Sequence, residues 1–156
     1  MKFLKIFKLL ANLFLANFLV LTYTSNLYAK DDITVTLLFT NDMESAYEPV
    51  PAWWRDDIEY IGGIAQLSTL IKDIRKREPN VFLFDSGDIF TGALSRETDG
   101  QLMFEFMITM GYDAMAIGNH EFDYGEEILA WQKNRVPFPV LGANLNYAGT
   151  NHPFAQ

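Results

Sequence analysis

The chain has 156 residues, no cysteine and two histidines, with 12 Lys and Arg against 20 Asp and Glu. The lack of cysteine excludes a disulfide framework, a thiolate zinc site, a cysteine nucleophile and a lipoprotein anchor. Two histidines exclude a metal site built from imidazole alone. The length suits one domain, and the apolar and aromatic content is that of a folded chain.

Lys2, Lys5 and Lys8 open the chain, followed by an apolar run over residues 9–21 broken by Asn12 and Asn17, and then by Leu27-Tyr28-Ala29. A basic start, a short apolar run and a small residue describe a secretory signal peptide, here residues 1–29. The competing reading, a stable membrane anchor, needs about 18–20 clean apolar residues. Export to the periplasm or the extracellular space is therefore expected. With the three lysines removed, nine basic side chains face twenty acidic ones over residues 30–156, a balance of −11. Such a charge argues against nucleic acid as a partner, since neutralising phosphates needs Lys and Arg in excess. It also repels small anions, unless bound cations reverse the local field.

Residues 33–39 (ITVTLLF) read as a strand buried on both faces. A long connection over residues 45–61 follows, carrying Trp53 and Trp54, which would cap a site or pin the loop to the body. Over residues 62–78, Ile64, Leu67, Leu70, Ile71 and Ile74 recur at helical spacing, with a basic last turn and Pro79 as the stop. Residues 81–84 form a second buried strand and residues 100–110 a second helix, stopped by Gly111. Residues 114–117 form a third strand, 125–134 a third helix with Trp131 as a core anchor, and 139–142 a fourth strand. Met103, Met107, Met110 and Met115 are core filler. Alternation of strand and helix predicts an α/β fold of βαβ units with a mainly parallel sheet.

The polar residues sit directly after the strands. Asn41, Asp42 and Glu44 follow the first, Asp85 and Asp88 the second, Asn119, His120 and Asp123 the third, and Asn144 the fourth. In a parallel sheet these positions share one edge, where ligands bind. Any one acid there could be a turn former, but three consecutive crossings deliver metal-capable groups. Oxygen-rich sets suit hard divalent ions such as Mg, Mn or Zn, and two such ions can clamp the oxygens of a phosphoryl displacement. His120, with Asp123 three residues on, is the local pair to steady charge and protonate a leaving oxygen.

The blocks Asn41-Asp42-Met43-Glu44, Asp85-Ser86-Gly87-Asp88 and Gly118-Asn119-His120-Glu121-Phe122-Asp123 resemble the first three signatures of the calcineurin-like metallophosphoesterases. Gly62-Gly63-Ile64-Ala65 and Val140-Leu141-Gly142-Ala143-Asn144 are similar to the secreted 5′-nucleotidase branch of that family. The resemblance implies the first half of a four-layer α/β/β/α metallophosphoesterase domain over residues 30–156. It implies a metal-dependent phosphoester hydrolase with a two-metal site, acting on a nucleotide or another small phosphoester. Asp42 would bind the first ion, Asp88 bridge the two, Asn119 bind the second, and His120, paired with Asp123, stabilise the transition state. Asn144 would lie near the substrate and Asp85 brace its loop. Where the family's first block has histidine this chain has Glu44, which implies a harder and more anionic ligand. Further histidine ligands and a carboxy-terminal substrate-binding domain of the family have no counterpart in these residues. The chain by itself is accordingly expected to be inactive, and the alternative reading is a truncated, non-catalytic exported fragment, at most a weak cation binder.

Overall fold

The computed structural model describes residues 32–154, so the signal segment falls outside the described residues. Residues 34–154 belong to one compact unit. Four strands, β1 (Thr36–Thr40), β4 (Val81–Asp85), β5 (Ala114–Ala116) and β6 (Val140–Leu141), form a parallel sheet in the order β1-β4-β5-β6. Two short strands, β2 (Val50–Pro51) and β3 (Tyr60–Ile61), pair antiparallel in the first connection. The helices are α1 (Ile64–Arg77), α2 (Ala93–Glu97), α3 (Gln101–Met110) and α4 (Glu126–Lys133), with a single 3₁₀ turn at His120–Phe122. The expected α/β architecture is present; the hairpin and α2 are additions to it. Among the described residues no helix is long and apolar enough to cross a membrane.

Because spatial order equals chain order, every crossover steps the same way, and right-handed crossovers then put the helices over one face of the sheet. The core agrees. Leu83, Met115 and Val140 pack with Ile71 of α1 and with Met103, Phe104, Met107 and Met110 of α3. The four methionines named above are all at most 4% exposed, as core filler should be. Arg75, in the last turn of α1, donates to the carbonyls of Met110 and Gly111 and so satisfies the end of α3.

The opposite face corrects the sequence reading. Leu37 is 52% exposed, Phe39 65% and Phe82 43%, so β1 is covered on one side only by the described residues. The exposed Phe39 and Phe82 flank the part-buried Phe84 in an aromatic row, with ring centroids about 6 Å apart. The two described layers, helices on a sheet, are the first two of the expected four. Trp131 is not a core anchor either: it is half-exposed under the Arg135 guanidinium, 4.1 Å from its ring centroid. Trp53 and Trp54, at the hairpin tip, pack edge-on against each other and stand exposed, pinning nothing.

Candidate active site

The register fixes where the polar loops emerge. Thr40 lies beside Asp85, and Asp85 beside Met115, so the three loops after β1, β4 and β5 leave the sheet as neighbours. The first is laid across the second by backbone bonds, Asp42 N–H to the Gly87 carbonyl at 3.2 Å and Glu44 N–H to the Asp88 carbonyl at 3.1 Å. Side chains reinforce the joint, the Ser45 hydroxyl donating to the Ile89 carbonyl and the Thr91 hydroxyl to that of Glu44. Asp42, Glu44, Ser45 and Asp88 all have left-handed backbone, with φ of 49°, 43°, 54° and 59°. Such conformations cost about 1–3 kcal/mol each and persist where surrounding structure over-determines them, often at functional sites.

The second and third loops come into close contact at two glycines, Gly87 and Gly118. A Cβ on Gly87 would lie 2.5 Å from the Gly118 nitrogen, and one on Gly118 would lie 2.3 Å from Asp88 Oδ1. Only glycine fits at either position. This approach lets His120 N–H donate to Asp88 Oδ1 at 2.8 Å, which leaves Asp88 Oδ2 for another partner.

His120 Nδ1 lies 2.9 Å from Asp123 Oδ2, and since a carboxylate only accepts, Nδ1 carries the proton. Both side chains are partly exposed, and Nε2 makes no hydrogen bond among the described residues. The Asp123 hydrogen bond holds the imidazole above its ordinary pKa of 6.5, with the charges of Asp123, Asp88 and Glu44 acting in the same direction. Asp88 and Glu44 are thus each within electrostatic reach of His120. Beneath them, Asp85 accepts from the Thr40 hydroxyl at 2.5 Å and from Gly87 N–H at 2.8 Å, bracing its loop as expected. Burial pushes the Asp85 carboxyl up to about 6 despite those bonds, and Tyr112, which shares Thr40 with it, to about 12.

One pH prediction arises here. In the metal-free chain the His120 imidazole is expected to titrate above 6.5, and Asp123→Asn to bring it down. A raised folded value means that the pair stabilises fully below the unfolded pKa and loses its contribution as pH rises through the folded one. Imidazole shifts followed by NMR, with urea midpoints at each pH, read both effects. An unchanged His120 titration in Asp123→Asn would show that the pair does not exist in solution.

The structure therefore brings together Asp42, Glu44, Asp88, His120 and Asp123, with Asn119 exposed beside them. Asn144 stands one strand further along, exposed and without a side-chain hydrogen bond among the described residues. Asp42 receives a hydrogen bond from the Asn41 amide. Asp42, Glu44, Asp88 and Asn119 offer hard oxygens, and among the described residues no basic side chain bonds to any of these four, a chemistry that fits divalent cations. Among the described residues, however, no three His, Asp or Glu side chains already surround one point. Sequence reasoning includes Glu121 within a motif and gives it no role, yet it is fully buried and accepts hydrogen bonds from both neighbouring loops. The spacing from Gly118 is the one available signal, since a turn brings residues three apart together.

Residues 28–152 match the calcineurin-like phosphoesterase family. The chain is similar to a 5′-nucleotidase of Rattus norvegicus, 41% identical over 76% of this chain and 22% of the relative. It is also similar to protein UshA of Salmonella pullorum, 38% identical over 96% of this chain and 27% of that protein. Among solved structures, a 5′-nucleotidase precursor from Thermus thermophilus superposes with a TM-score of 0.68 at 35% identity, over 72% of this chain and 22% of the other. The chain spans about a quarter of the length of these relatives.

Proposed function

The chain belongs to the calcineurin-like phosphoesterase family, and from that premise we propose that it carries the ion-binding and phosphate-activating part of a metal-dependent, 5′-nucleotidase-like phosphoester hydrolase acting on exported or extracellular nucleotides. The observation that carries this reading is the convergence of Asp42, Glu44, Asp88 and the His120–Asp123 pair at three adjacent strand ends. The nucleotide as substrate rests on the names of the similar proteins. Export rests on the leader-like residues 1–29.

Asp42, Glu44, Asp88 and Asn119 would hold two divalent ions, with Asp88 as the shared ligand. When bound, such ions polarise the phosphoryl oxygens and lower the pKa of an attacking water. Asp88 keeps one oxygen on His120 N–H and has the other free to coordinate. Asp123 fixes the imidazole by Nδ1–H, so in the imidazolium form Nε2–H is the group that would give its proton to the leaving oxygen, leaving the neutral Nδ1–H imidazole. Asn144 would lie near the bound ester. The second reading, a non-catalytic chain that at most binds a cation weakly, draws on the same donors not already surrounding one point among the described residues.

The test is phosphate release from adenosine monophosphate with Mn(II) or Zn(II). None is expected from residues 30–156, whereas a chain continued to the length of the nucleotidase relatives should be active. Turnover by residues 30–156 themselves, lost in His120→Asn, would show a self-sufficient site here. No ion binding in either form would leave the second reading. A further prediction concerns Glu44: carboxylate suits Mg and Mn where imidazole suits Zn, so Glu44→His in an active form should shift the preference from Mg and Mn toward Zn. Activity profiles across the metals check it, and an unchanged profile would remove position 44 from the ligand set.

A further inference from the structure

The Glu121 side chain is fully buried, and none of the ion pairs among the described residues includes it. A carboxylate is tolerated in such a place only where donors replace its water. Here four backbone N–H groups do so. Oε1 accepts from Ile89 at 2.7 Å and Phe90 at 3.4 Å, and Oε2 from Asp88 at 2.9 Å and Gly118 at 2.6 Å. Three of those donors are consecutive residues of the loop after β4, and the fourth opens the loop after β5. One carboxylate therefore clasps both loops.

The clasp closes a ring. Asp88 N–H donates to Glu121, while His120 N–H, one residue before Glu121, donates back to the Asp88 carboxylate at 2.8 Å. Neither Asp88 nor His120 can shift without stretching a charge-assisted bond, the stronger kind. The left-handed backbone of Asp88 is held from the same side, since its own N–H and the two that follow all point at Glu121.

We infer that Glu121 is a positioning residue: by gathering the amides of Asp88, Ile89, Phe90 and Gly118 it sets the separation of the Asp88 carboxylate from Asn119 and His120, and so the affinity of the site for its ions. This rests on the proposed ion site, and a structural role alone would predict something different. Loss of a general brace lowers stability, and ion affinity falls only as far as folding does. Loss of a positioning group lowers affinity in a chain that remains folded.

Glu121→Gln tests it, because the isosteric amide offers one acceptor and turns its NH₂ toward two of the four donors. Backbone exchange by NMR, Mn(II) titration by calorimetry and thermal unfolding are measured on the full chain, with Met107→Ala as a core control. The expected result is exchange at least about tenfold faster at Asp88, Ile89 and Gly118, unchanged exchange in α3, and Mn(II) affinity weaker by about 10–100-fold, as for other groups that orient a ligand. Met107→Ala should lower the unfolding temperature and leave affinity within about twofold. Unchanged affinity in Glu121→Gln, or an equal loss in Met107→Ala at equal destabilisation, would overturn the inference. If the wild-type chain binds no Mn(II), the ion site itself falls, and the exchange rates alone then decide whether Glu121 clasps the loops. Should Glu121→Gln not fold, Glu121→Asp, which keeps the charge but is one methylene short of spanning both loops, carries the same measurements.

Discussion

Asp88→Asn is expected to weaken Mn(II) binding by at least about 100-fold, with the fold intact. The lower bound follows from groups that only orient a ligand, which are worth about 10–100-fold in metal affinity; removing a shared ligand should exceed that. The substitution is chosen to spare everything else that Asp88 does. Its Oδ1 accepts from His120 N–H, its carbonyl from Glu44 N–H, and its own N–H donates to Glu121. An asparagine oxygen can accept the first bond, the backbone makes the other two, and Asn tolerates the left-handed φ of 59° that most residues resist. What disappears is the charge and the second anionic oxygen. Calorimetric titration with Mn(II), alongside unfolding curves to show equal stability, reads the effect. Equal binding by wild type and variant would mean that Asp88 faces no ion, and its place between the first and third loops would then be architectural.

How much of this is legible in the sequence divides along a physical line. The placement of Asp42, Asp88 and His120 can be anticipated because parallel βαβ topology dictates which end of each strand shares an edge, whatever the loop geometry. The burial of Glu121 cannot. Its sequence neighbours are those of an ordinary turn, and its role depends on Gly87 and Gly118 allowing two backbones to meet, a tertiary event. The open face of β1 escapes the sequence for a different reason. Val35, Leu37 and Phe39 alternate with Thr36, Leu38 and Thr40, so both faces carry apolar side chains, and the pattern reports how apolar a face is without reporting what lies over it. Trp131 shows the same limit: a large aromatic on a helix suggests a core, while cation–π contact with Arg135 keeps it at the surface.

His120→Asn is expected to lower phosphate release by about 10²–10⁴, the range a positioned proton donor supplies, in any form of the protein that turns over a phosphoester. Ion binding should stay within about twofold of wild type. The two expectations separate because His120 serves the site in two ways. Its backbone N–H holds Asp88 Oδ1, and that bond survives any side-chain replacement. Its imidazole, fixed through Nδ1–H by Asp123, carries a second proton at Nε2 in its cationic form. Asparagine can still bond to Asp123 but cannot become a cation or lose a proton near neutral pH. Calorimetry with Mn(II) and a phosphate-release assay on the same preparation measure both quantities. If ion binding collapsed with activity, the imidazole would have to be rewritten as a ligand. If turnover survived, the leaving oxygen must take its proton elsewhere, and Asp123, left with no imidazole to orient, would have no function in the reaction. The outcome that supports the present assignment is the split one, a site that still fills with ions and no longer turns over, because only that result assigns the proton to the side chain and the architecture to the backbone of the same residue.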